Sequence, residues 1–132
     1  MIKVTIIILA VIVTVFLLIY LFPVVKVEGD SMLPTFREGK ILVCRRLFNK
    51  EHCKKDKIYV VHLRNESDGS PYYIIKRLYR TYQFNDKTMY DFRGDNKPVS
   101  YDSRQHGLFK KDAVIAQVLG NYKNKYENKK GE

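Results

Sequence analysis

Ser31, in the segment "VEGDSMLPTF" (27–36), is the residue whose setting most invites chemistry. A serine hydroxyl at neutral pH is a weak nucleophile and needs an adjacent base. His52, His62 and His106 are the histidines available, and none stands in a recognisable triad context. A different candidate lies in "YYIIKRLYR" (72–80). Alternation along a strand places Tyr72, Ile74, Lys76 and Leu78 on one face, and Tyr73, Ile75 and Arg77 on the other. Burial among apolar neighbours disfavours a charged amine and lowers its pKa. Moving a lysine from about 10.4 to about 7.5 takes roughly 4 kcal/mol of differential interaction, within reach of desolvation. A neutral Lys76 could then deprotonate Ser31. The strand pattern alone leaves another use open, in which the lysine buries its stem and keeps its head in water.

A third polar segment, "GDNKPVSYDSR" (94–104), is too polar for a core strand. Gly94-Asp95-Asn96 suits a tight turn, Asp102 and Arg104 are spaced to pair, and Ser100 could donate to or accept from a lysine amine. An exposed turn with a local ion pair of little worth is the plainer alternative.

These residues need elements to hold them. No charged residue occurs from Val4 to Val25. As a helix that run reaches roughly 33 Å, enough to cross a hydrocarbon core of about 30 Å. It is longer than the apolar core of a cleavable signal peptide and lacks an Ala-x-Ala site, so residues 1–22 read as an uncleaved anchor. Beyond it, "VVKVE" (24–28), "KILVCRR" (40–46), "KIYVVHL" (57–63), "YYIIKRLYR" (72–80), "TMYDFR" (88–93) and "AVIAQVL" (113–119) are rich in β-branched and aromatic residues. "REGK", "NESDGSP", "FNDK" and "GDNKP" separate them as turns. The last of these strands is the only one that could also be read as a helix. The expectation is a mostly β fold: a transmembrane helix followed by a small catalytic domain of coiled antiparallel sheets over residues 23–120, with a polar tail at 121–132.

Pro23 ends the apolar run eight residues before Ser31, so the serine lies within roughly 27 Å of the helix end. The net charge of +10 falls almost wholly after the anchor, which favours attraction to anionic headgroups. No recognition helix or RNA-binding aromatic motif accompanies it, and nucleic acid is not an expected partner. Lys3 on one side and Lys26, Arg37 and Lys40 on the other leave orientation unset by charge. Cys44 and Cys53 fit either free thiols or a pair. Their spacing with His52 and His62 is not a zinc pattern, so neither metal nor cofactor is expected.

Together, an anchor, "GDSMLPT", "YIIKR" and "GDNKPVSYDSR" followed by Gly107 resemble the bacterial type I signal peptidases from the anchor to Gly120. The GDN-x3-S-x-DSR arrangement is the most specific part. The resemblance implies Ser31 as nucleophile and Lys76 as general base. It implies that Ser100 positions the lysine and that Asp102 and Arg104 hold the site together. It also implies the Ser31 backbone N–H as an oxyanion donor. Gly29 stands where some members carry a second, side-chain donor, as in members from Gram-positive bacteria. The implied partners are signal peptides of exported preproteins, the lipid bilayer and a secretion translocon. The implied location is the cytoplasmic membrane, with the N-terminus inside and the domain outside.

"LYRTYQFND" replaces the Gly-Pro-Gly-Asp-type turn that usually follows the Lys-Arg pair, and residues 77–93 leave no room for an accessory domain. That suggests a minimal enzyme, dedicated to pilus or other surface proteins. Self-cleaving repressors share a "GDSM"-like segment but lack the anchor and the last motif. A non-cleaving signal-peptidase-like assembly factor is the alternative from another class; loss of Ser31 or Lys76 would mark it, and both are present.

Overall fold

The computed structural model describes residues 1–50 and 52–124. Most of the expected polar tail, 125–132, therefore lies outside the described residues. The apolar run forms α1, Ile2–Leu21, with none of its residues buried against the rest of the chain. By length and composition it could cross a membrane. Its two threonines return their hydroxyls to the helix, Thr5 Oγ1 donating to Met1 O and Thr14 Oγ1 to Ala10 O. That satisfies the two hydroxyls lying deepest in the apolar stretch without water.

Seven strands follow: β1 (Val24–Lys26), β2 (Ile41–Arg46), β3 (Ile58–Arg64), β4 (Pro71–Phe84), β5 (Lys87–Arg93), β6 (Phe109–Lys110) and β7 (Val114–Val118). They form one sheet in the order β1-β2-β7-β3-β4-β5-β6, with every pairing antiparallel. The mostly β expectation holds, and "AVIAQVL" is a strand.

Strand β3 explains how so short a chain makes a core. Its run is apolar without alternation because both faces are covered. Ile58 and Val60 enter a cluster with Val27, Met32, Phe36 and Leu42. Tyr59, Val61 and Leu63 enter a second, with Leu78, Tyr90, Phe92 and Phe109. Strand β4 is longer than its sequence pattern predicts and runs on to Phe84. It turns into β5 through Asn85 and Asp86, whose φ values are 44° and 63°. A two-residue hairpin turn of this kind needs positive φ, which Asn and Asp tolerate. A bulge at Tyr79, between the Leu78–Phe92 and Arg80–Asp91 pairs, bends the long strand.

The shortest elements escape the sequence pattern. Strand β6 is only two residues long, too short for periodicity to register. A single helical turn, α2 (Ser103–His106), lies inside the polar "YDSRQH" stretch and is made by a capping box. Asp102 accepts from the backbone at its start, and the Gln105 side chain caps the Asp102 N–H in return.

Candidate active site

Ser31 sits in the turns between β1 and β2. Met32 and Phe36, each 1 % exposed, plug this segment into the first core cluster. Its backbone is tied down from the "GDN" turn: Asn96 N–H donates to Ser31 O at 2.9 Å, and Asn96 Nδ2 donates to Asp30 O at 3.0 Å. Thr35 Oγ1 donates to Asp95 Oδ2 at 2.5 Å. Among the described residues nothing accepts from the Ser31 N–H, which is left available to a ligand.

Lys76 arrives from β4. Its neighbours along that face, Ile74 and Leu78, belong to the second core cluster, and its cross-strand partner on β3 is Tyr59. The lysine is 4 % exposed, and its Nζ lies 2.6 Å from Ser31 Oγ. Burial lowers its pKa to about 8, helped by Arg104 and opposed by the negative charges of Asp102 and Asp95. The desolvated use of this lysine, not the snorkelling one, is what the fold adopts.

The Asp102–Arg104 pair forms as its spacing predicts. Arg104 Nε reaches Asp102 Oδ1 at 2.9 Å, and Nη2 reaches Oδ2 at 2.6 Å. Asp102 is fully buried and also accepts from Gly94 N–H, Arg104 N–H and Ser100 Oγ. Burial alone would raise its pKa, but the bonds from Arg104, Ser100 and the two N–H groups outweigh that and hold it at about 2. The Ser100 hydroxyl is thus committed to Asp102 Oδ2 at 2.5 Å. Among the described residues no hydrogen bond joins Ser100 to Lys76. Gly94 lets these parts close up: a Cβ there would stand 2.1 Å from Ser100 Oγ and 2.6 Å from Ser31 O.

The sequence patterns do not reveal a second buried pair. Arg77 points away from Lys76 and grips Asp95 with two bonds, Nε to Oδ1 at 2.8 Å and Nη2 to Oδ2 at 2.7 Å. Its remaining Nη1 donates to Asp56 O and Tyr122 O. Asp95 therefore bridges β4 to Thr35 in the serine segment. The only hint is the neighbouring of two cations, Lys76 and Arg77, directly after an apolar run in the strand.

None of the three histidines hydrogen-bonds Ser31 or Lys76. The His62 ring lies 5.4 Å from that of Tyr73, and His106 stacks on Phe109. Both cysteines are free; Cys44 is buried in the core, which pushes its thiol up to about 11. Among the described residues no three His, Cys, Asp or Glu side chains gather as a metal site requires.

A buried amine beside a serine hydroxyl, with the N–H of that serine unused, is what a serine peptidase needs. The model of the Peptidase S24-like family matches residues 22–118. The chain belongs to that family. No curated protein matches it. The matched span of this Peptidase S24-like chain takes in Ser31, Lys76 and the whole 94–104 segment, and begins where α1 has ended. The family thus accounts for a serine-peptidase β domain, and the apolar helix is an addition in front of it.

Proposed function

We propose that this chain is a type I signal peptidase, a membrane-bound endopeptidase that removes signal peptides from exported preproteins. The observation that carries the reading is the 2.6 Å approach of Lys76 Nζ to Ser31 Oγ, in a domain joined at once to an apolar helix of 20 residues. A substrate that is itself membrane-tethered would present its cleavage site near the end of such a helix.

In this mechanism the neutral Lys76 amine accepts the Ser31 proton while Oγ attacks the scissile carbonyl. The oxyanion takes the Ser31 N–H. Protonated Lys76 then returns the proton to the leaving amine, and an acyl ester remains on Ser31. Lys76 next deprotonates a water, which attacks the ester and regenerates the hydroxyl. Strand β4 pairs with β3 along Pro71–Arg77 on one side, whereas its pairing with β5 begins only at Arg77. Among the described residues the opposite edge of Pro71–Lys76 thus has no strand beside it. A substrate could add there as an extra strand that leads its scissile bond to Ser31. Small residues, Ala above all, are the side chains expected at positions −1 and −3.

The test is processing of a preprotein by the purified full chain beside Ser31→Ala. Release of mature protein by the parent and none by the variant supports the reading. Processing by Ser31→Ala near the parent rate would overturn the mechanism. An inactive parent that still binds preprotein would favour the non-cleaving assembly factor.

A further inference from the structure

We propose that the junction between α1 and the loop after β2 binds the phosphate of an anionic phospholipid, with Arg46 and Lys50 as its cations and Phe48 as an apolar wedge. This rests on the reading of α1 as a membrane span. Tyr20 occupies the last turn of that helix, so the residues around it lie at the depth where hydrocarbon gives way to headgroups.

Arg46 folds back onto this turn. Its Nε donates to Tyr20 O at 2.9 Å, and its guanidinium lies 4.5 Å from the centre of the Tyr20 ring. It thereby satisfies one of the carbonyls that a helix C-terminus leaves open, and complements the negative end of the helix dipole. Among the described residues nothing accepts from its Nη groups. Tyr20, Arg46, Leu47, Phe48, Lys50 and Ile115 line a cavity of about 260 Å³. Among the described residues Lys50 Nζ makes only a long bond, 3.4 Å, to the Asp112 carbonyl. Among the described residues neither Arg46 nor Lys50 pairs with a carboxylate.

Phe48 is 68 % exposed, with its ring 6.3 Å from that of Tyr20. An exposed phenylalanine is costly in water and at home just inside a headgroup layer. The loop that carries it is held from behind, where the buried Tyr90 hydroxyl donates to Lys50 O. Two cations around a cavity, without a carboxylate partner among the described residues, and an aromatic pair beside them match one phosphate with its acyl chains. A zwitterionic headgroup brings its own cation and would leave this charge uncompensated. None of these residues belongs to the Ser31–Lys76 site.

The experiment uses the full chain in phosphatidylcholine vesicles containing a minority of phosphatidylglycerol. The chain has no tryptophan, so Phe48→Trp is a unique reporter, and brominated acyl chains should quench it. Native mass spectrometry of the extracted protein should find phosphatidylglycerol enriched over phosphatidylcholine. The double variant Arg46→Gln/Lys50→Gln should lose about 30-fold of that enrichment, about fivefold for each cation near the surface. It should cleave a soluble peptide in detergent as the parent does. Equal enrichment in parent and variant overturns the site, as does displacement of the lipid by inorganic phosphate with the reporter unquenched. Failure of the protein to float with vesicles of either composition defeats the spanning reading itself, and the site with it.

Discussion

Lys76 and Arg77 are consecutive cations in one strand, 4 % and 5 % exposed, and their side chains serve opposite faces of the sheet. Lys76 meets the Ser31 hydroxyl with no carboxylate in contact, whereas Arg77 is clamped to Asp95 by two hydrogen bonds. In the proposed mechanism, identical formal charge serves chemistry on one side and architecture on the other.

The first prediction concerns the lysine. Peptidase activity should rise with pH through a group near 8, the value to which burial lowers Lys76. Lys76→Arg should be inactive across that range, because a guanidinium does not deprotonate there. Substantial activity in that variant would show that another residue is the base. Stability should follow the same group. Because the folded pKa lies below 10.5, the penalty for burying the charge is fully present below about 8 and fades as pH rises to about 10.5. That gap corresponds to roughly 3 kcal/mol, so Lys76→Met should be at least as stable as the parent at neutral pH. Thermal melts between pH 7 and 10.5 check both statements.

Gly94→Ala should abolish activity while the chain still folds. The new methyl group would press on Ser100 Oγ and the Ser31 carbonyl, at a cost of about 1–3 kcal/mol as the parts shift. A turnover assay beside a circular dichroism melt separates the two effects; near-parent turnover would mean that the close approach is not needed.

Thr35→Val and Asp95→Ala should differ in a telling way. Thr35→Val cuts the tie between the serine segment and Asp95 but leaves Arg77 paired. It should lose about 1–3 kcal/mol of stability and lower kcat more than it raises KM. Asp95→Ala also strands a buried guanidinium and should cost roughly 3–5 kcal/mol. Equal melts for the two variants would contradict the bridging role of Asp95.

Asp102→Asn should lower stability by up to roughly 3 kcal/mol by weakening the grip on Arg104. Its effect on rate has a direction that a merely structural residue would not produce. The Asp102 charge favours protonated Lys76, so its removal should move the rising limb of the pH–rate profile to lower pH. A limb that stays put or moves upward would break the electrostatic link between the two residues.

Protease added to intact spheroplasts should digest the domain after Pro23 if it has the outward orientation that the resemblance to type I signal peptidases implies. Complete protection would place the domain in the cytoplasm instead.

Legibility in the sequence followed the range of each interaction. Local residue types and strand alternation make Ser31 and Lys76 candidates, and the two-residue spacing does the same for Asp102 with Arg104, but the roles of all four come from the resemblance of the three motifs together and not from any local pattern. The Arg77–Asp95–Thr35 bridge spans 18 and 60 residues, and nothing in a local pattern encodes such a meeting. Ser100 was expected to serve the lysine amine. The buried Asp102 carboxylate competes for its hydroxyl, since an ionised acceptor inside the protein is a far stronger partner. The α2 turn is hard to see because its four residues are too few for a helical period, and its N-cap, Asp102, is already engaged as a site residue.

The path from α1 to Ser31 has one further consequence. Cys44 N–H donates to Pro23 O, β1 zips onto β2, Val27 N–H donates to Lys40 O and Gly39 N–H to Val27 O. The stretch from Pro23 to Val27, most of the way from the helix to the serine, is therefore woven into the sheet. With α1 in a bilayer, the height of the hydroxyl above the hydrocarbon is set by the fold, as the jaw of a caliper is set by its frame. Such an enzyme would select a peptide bond by its distance from the apolar end of a substrate as well as by the side chains that flank it.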